Sequence, residues 1–230
     1  MGRHKLTNEA TLSDLQLWCL SLSAMLIEYN NSRHDFITTH EPGSSQQRAE
    51  RQGLDREWGI KTPEDLLKEL KGLDRSKRAD KRFEQHKQLY SSLSIMEQNL
   101  LNPDPQLKRP AERHEFVLDA YADELERVGT DAWHDGRAVW LCRMSVTAGL
   151  ISLEQAWPLI IEIATRCHDR YHSWFEFGLS YAAGYQLWKP SGFHHKDVSQ
   201  VIDDLNFLLY HKESPWTRIA WETGAQIVPA

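Results

Sequence analysis

Cysteine is scarce in this chain. Cys19, Cys142 and Cys167 are odd in number and contain no C-x-x-C pair, which excludes a disulfide framework and a zinc ribbon. Each sits among apolar residues at helical spacing and reads as a buried thiol of a reducing compartment. Long apolar runs are also lacking. The run 15–27 is broken by Gln16, Ser21 and Ser23 and is too short and polar to span a bilayer. Polar residues follow Met1-Gly2-Arg3-His4-Lys5, so no secretory leader is expected, and Leu6 stands where a myristoylated start has Ser or Thr. Alternating strand runs, internal repeats, phosphate loops and dinucleotide fingerprints are absent.

Basic charge is deficient in the second half. Residues 1–110 carry 17 Lys/Arg against 16 Asp/Glu, whereas residues 111–230 carry 10 against 17, a net of −7. Phosphate backbones want the opposite sign, so nucleic acid is not expected as a ligand. A basic protein partner would suit that half, and solubility alone would also explain it.

Tryptophan is what the chain has in excess: nine residues, seven of them after position 132. A buried indole removes roughly 150–250 Å² from water, so most are expected in a core. A few at the surface would mark a partner interface.

The apolar spacing is helical almost throughout. Leu12, Leu15, Leu22, Met25, Leu26 and Tyr29 predict one helix, capped by Ser13 with Gln16 and ending near Asn30-Asn31-Ser32. Residues 38–55 have no apolar period and read as a loop. Thr62-Pro63-Glu64-Asp65 is a helix start, with Thr at the N-cap and Pro at the first helical position. A basic stretch at 75–82, a helix at 83–100, a loop at Asn102-Pro103-Asp104-Pro105 and a helix opening at Pro110, with Phe116, Leu118, Tyr121 and Leu125 inward, follow. A helix over 131–148 is expected to place Trp133, Gly136, Trp140, Met144 and Thr147 on one face and to stop at Gly149. Ser152 and Gln155 cap the next, which Pro158 should kink or restart. Ser173 and Glu176 cap another, where Gly178, Ala182 and Gly184 would let a backbone approach closely. The last long helix spans 198–210, with Val201, Ile202, Leu205, Leu208 and Leu209 inward, and Ser214-Pro215-Trp216 opens a final turn. The expected fold is an all-α, single-domain bundle over 1–230 of about seven or eight helices. An N-terminal section, 1–105, would pack on a Trp-rich section, 106–230.

Several pieces of this string form an ordered series: Leu17-Trp18-Cys19-Leu20, Asn30 and Arg33-His34-Asp35, then Trp58-Gly59-Ile60, then Trp133 through Arg137 to Gly149. Tyr171, Ser173-Trp174, Glu176-Phe177, Tyr181, Gly184 and Trp188 follow, and Ser214-Pro215-Trp216 with Trp221 closes the series. The series resembles a bacterial family known as a domain of unknown function, which includes the enterobacterial YbeU- and YbeR-like proteins. Where such proteins often show Gly-His before an arginine, this chain has Ser76-Lys77-Arg78. The resemblance implies an all-helical cytoplasmic domain and no established reaction. Proteins like it often appear among bacterial toxin–antitoxin neighbours, so the resemblance implies a toxin-neutralising immunity role.

Four residues are candidates for a ligand site: Asp135, Arg137, His168 and His172. The two histidines are spaced to share a helical face if the helix is unbroken. Asp135 and Arg137 point different ways, each toward a neighbouring helix, and Arg137 among tryptophans could stack on a ring. His194-His195 is a further possible donor pair. Ser173 lacks a G-x-S-x-G elbow, and Glu176 accounts for it as a cap. No catalytic residue, metal site or cofactor is assigned. The function expected is binding of a protein, such as a basic toxin domain, in the cytoplasm and away from membranes and nucleic acid. The alternative is a small-molecule hydrolase or ligand-binding protein using Arg137, Asp135 and His168 or His172. A self-associating scaffold is the third reading.

Overall fold

The computed structural model describes residues 12–40, 44–74, 125, 128–188 and 195–227. Among them are eight α-helices of six residues or more and no strand, so the fold is all-α. The expectations placed on 75–124 and on His194 lie outside the described residues, apart from Leu125, which is helical and buried.

The first expected helix is two. α1 (Asp14–Ser21) begins on the Ser13–Gln16 capping box, and α2 (Ala24–Tyr29) follows after a break. The break has a polar cause. Ser21 and Ser23 hydroxyls donate to the carbonyls of Leu17 and Leu20, competing with the helical ladder. The Ser21 carbonyl then accepts the indole N–H of Trp216 at 2.9 Å. Tyr29, expected on the buried face, is largely exposed, while Leu17, Trp18 and Leu20 are core.

Residues expected as a loop form α3 (Ser44–Trp58). This helix carries almost no apolar signal because among its described side chains only Leu54 is buried. Its Gln, Arg and Glu residues are good helix formers on a solvated face. Gly59, at φ +66°, ends it in the left-handed region, and the Ile60 amide returns to the Leu54 carbonyl at 3.0 Å. α4 (Pro63–Leu73) opens on the Thr62–Asp65 capping box.

α5 (Ala132–Thr147) is the centre of the fold. The five residues expected on one face, Trp133, Gly136, Trp140, Met144 and Thr147, are all buried, but so is most of the rest: 13 of its 16 residues are buried. Helices α2, α3, α4, α6 and α7 all pack on it, and an element surrounded on all sides has no polar face to show. Gly149, at φ +65°, stops it. α6 (Leu153–Arg170) starts on the Ser152–Gln155 box and runs through Pro158 without restarting. Pro158 and Glu154 are both exposed, so the carbonyl that proline leaves without a donor faces water.

α7 (Trp174–Trp188) brings small residues to close contacts. A Cβ on Gly184 would lie 2.6 Å from Trp133 Cβ, and one on Gly178 would lie 2.5 Å from Leu205 Cδ1. α8 (His195–Tyr210) buries Val201, Asp204, Leu205, Phe207 and Leu208, leaving Ile202 and Leu209 half-buried. α9 (Pro215–Arg218) is one turn capped by Ser214, and a 3₁₀ helix (Trp221–Gln226) closes the described chain.

Candidate functional site

The four candidate residues do not form one cluster. Asp135 turns toward α6, where Arg166 Nε donates to its carboxylate at 2.9 Å. Burial raises the Asp135 carboxyl above its ordinary value, and Arg166 opposes that shift. Arg170 pairs with Asp131 at the same α5–α6 seam. These are links between helices.

His168 lies within α6, but the helix ends at Arg170, so His172 falls in the following connection. The expected shared face of the two histidines therefore does not exist. The His168 ring packs edge-on against Trp18 at 5.9 Å and lies parallel to Trp221 at 6.3 Å. His172 is exposed, and its amide donates to Glu176. The Ser173 hydroxyl accepts the Glu176 amide at 3.1 Å, as a helix cap requires. The Glu176 carboxylate, expected to return to the Ser173 amide, accepts from the His172 amide one residue earlier at 2.7 Å. Among the described residues, no group of three His, Cys, Asp or Glu is arranged to hold a metal ion.

Around His168 the tryptophans make a core. Trp174 stacks on Trp216 at 5.2 Å and meets Trp221 edge-on at 4.7 Å. The indole N–H groups of Trp174, Trp216 and Trp221 donate to the carbonyls of Ile219, Ser21 and Tyr171. That satisfies the polar edge of each ring inside the fold. Pro215 and Ser214 are buried beside them, the Ser214 hydroxyl donating to the Leu208 carbonyl.

Of the four, Arg137 lines a cleft, of about 570 Å³, between α2, α3, α5, α7 and α8. Met25, Leu26 and Tyr29 come from α2, and Glu57 and Trp58 from the end of α3. Trp133 and Trp140 flank Arg137 on α5, while Tyr181, Tyr185 and Trp188 come from α7 and Val201 and Asp204 from α8. The guanidinium carbon lies 4.4 Å from the Trp58 ring centre, 5.0 Å from Trp133 and 5.5 Å from Trp188. Ring stacking of Arg137, expected from its tryptophan neighbours, is thus present, and each face at this range attracts the cation. Burial pushes the Tyr181 hydroxyl well above its usual range, with Arg137 opposing. The Trp133 indole N–H is buried and has no acceptor among the described residues. Tyr29 and Trp188 stand at the rim, 61% and 51% exposed.

Arg143 is not among the residues expected from the sequence to form a site. It is fully buried on α5, and burial draws its guanidinium down to about 9 while Asp35 opposes. Its Nη1 donates to the Ser23 hydroxyl at 2.9 Å, and its Nη2 to the carbonyls of Arg33 and Phe36 at 2.5 and 2.6 Å. The segment after α2 is thereby clipped to the central helix. Thr147 extends the clip by accepting the Thr39 amide at 2.9 Å. A lone arginine in the apolar run Val139–Val146, with no acid on its own helical face, was the signal available.

No curated protein and no solved structure matches the chain. One family model matches residues 53–221, which takes in α4 to α9 and the Arg137 cleft except its α2 wall. The chain belongs to that family, described as "Protein of unknown function (DUF1266)".

Proposed function

We propose that this protein works by binding another protein, as a cytoplasmic immunity factor that neutralises a toxin by covering it, and that within its family it groups with the YbeU- and YbeR-like proteins. The observation that carries the binding reading is the rim of the Arg137 cleft, where Tyr29 and Trp188 offer exposed aromatic surface around a concave site. Aromatic anchors at the edge of a pocket are where binding energy concentrates. The net −7 of residues 111–230 would steer a basic partner toward the chain. The polar groups first suspected of chemistry, Asp135 and His168, are engaged within the fold and do not line the cleft. Among the described residues no helix is long and apolar enough to cross a membrane.

The test is genetic and direct. Deleting the gene in cells that keep its neighbours should expose toxicity that the wild-type protein relieves. A Tyr29→Ala, Trp188→Ala double variant of unchanged thermal stability should relieve it poorly and should fail to co-purify with the neighbouring product. No toxicity together with no co-purifying neighbour overturns the reading.

A further inference from the structure

We propose that the Arg137 cleft is a binding site for a small quaternary ammonium ion, held against indole and phenol rings and attracted by the carboxylates of Glu57 and Asp204. The inference goes beyond partner binding and needs no partner. The ion would lie inside the cleft, with Tyr29 and Trp188 exposed at its edge.

Three observations select this chemistry. The first is size: about 570 Å³ of open space lies within the range of small-ligand pockets, roughly 300–1,000 Å³. The second is the wall, which four tryptophans and three tyrosines line. That wall already holds one organic cation, the Arg137 guanidinium, at 4.4, 5.0 and 5.5 Å from the ring centres of Trp58, Trp133 and Trp188. Ring faces attract a cation, and a weakly hydrated one loses least on leaving water. The third is charge. Two carboxylates, Glu57 and Asp204, line the cleft against the one guanidinium. The side chains lining the cleft are thus net negative, and a concave apolar wall focuses that field on a ligand.

The same groups choose among cations. Asp204 is buried and accepts the neutral Gln200 amide at 2.8 Å, and the exposed Glu57 accepts from Arg56 at 2.7 Å. Arg56 does not line the cleft, and its pair with Glu57 is open to water, so Asp204 is the less screened of the two carboxylates. With donors of their own, both act on a ligand through charge. A primary ammonium brings three N–H donors that need acceptors once it leaves water. A quaternary ammonium brings none and presents methyl groups to the rings. Arg137 opposes it: the guanidinium repels the ion and competes for the same ring faces, so the cleft holds the ion loosely.

An NMR titration of the purified full chain, followed at the tryptophan indole resonances, tests the proposal. The probes are choline, its neutral isostere 3,3-dimethyl-1-butanol and its primary amine counterpart ethanolamine. Choline should bind about fivefold or more tightly than either. Two variants should move its affinity in opposite directions. Glu57→Gln, at an exposed position, should weaken choline about twofold or more. Arg137→Gln, which removes the repelling charge and frees the ring faces, should strengthen it several-fold. The neutral isostere should stay within about twofold in both, whereas damage to the fold would weaken all three probes. Equal binding of choline and its isostere, tighter binding of ethanolamine, no shift at millimolar choline, or weaker choline binding by Arg137→Gln overturns the proposal. The wild-type comparison alone decides the first three, whatever the variants do to folding. None of them bears on capture of a toxin, which is read separately in cells.

Discussion

Arg137 and Arg143 share one helix and meet opposite surroundings. Arg137 lies against ring faces at the edge of a cleft, while Arg143 is sealed in the core with a hydroxyl and two carbonyls as acceptors. Replacing Arg143 by Met strands those acceptors, and the loss expected is about 3–5 kcal/mol in urea unfolding. Replacing Arg137 by Met forfeits cation–π contacts of about 0.5–2 kcal/mol and leaves the core intact. His34 makes a second residue-level prediction. It is buried, with Nε2 2.7 Å from Glu28 and with Arg143 and Asp35 also acting on it. Burial holds its pKa below the ordinary value of 6.5, so the unfolded chain binds its proton first. The stability it contributes is complete above about pH 6.5 and is lost as pH falls toward the lowered folded value. His34→Gln should flatten the unfolding free energy across that acid window, and an unchanged slope would clear His34 of the effect.

At the scale of elements, the close approaches of α7 reverse a usual rule. An alanine in a helix normally outperforms glycine by about 1 kcal/mol. At Gly184 the added methyl would meet Trp133 Cβ at 2.6 Å, so Gly184→Ala should destabilise by about 1–3 kcal/mol. Gly59 has open space around it, and there only the φ of +66° resists a side chain, a cost of about 1–2 kcal/mol. Parallel thermal unfolding of the two alanine variants separates crowding from backbone strain. What was legible at this scale was local chemistry. The boxes at Ser13 and Ser152, the Thr62 cap and the stop at Gly149 depend on residues within a turn of one another. The break between α1 and α2 was not legible, because Trp216 stabilises it from the far end of the chain. α3 was hidden for a different reason: a helix burying one side chain shows no apolar period. Of the cleft, Arg137, Trp133 and Trp188 could be read from spacing on α5 and α7. Tyr29, Glu57 and Trp58 arrive from other helices, and only packing brings them there.

For the whole molecule, the surrounded α5 means that interior groups are reached only by opening the fold. Cys19, Cys142 and Cys167 are all buried, and burial pushes Cys19 and Cys142 up to about 12 and Cys167 well above its ordinary value. A thiol reagent at neutral pH should therefore find almost nothing in the native protein and all three thiols in denaturant. A native thiol that reacts at the unfolded rate would contradict the packing.

The Arg143 clip bears on where a working piece of this protein can be cut. The matched family region starts at residue 53, yet the acceptors that satisfy Arg143 are at Ser23, Arg33 and Phe36. A fragment trimmed to 53–221 would keep the charge and discard everything that neutralises its burial. Such a fragment should be insoluble or unfolded, while one beginning near residue 12 should give a cooperative transition. The region by which relatives are recognised is thus smaller than the unit that folds, and gene fragments for expression should be drawn to the clip and not to the match.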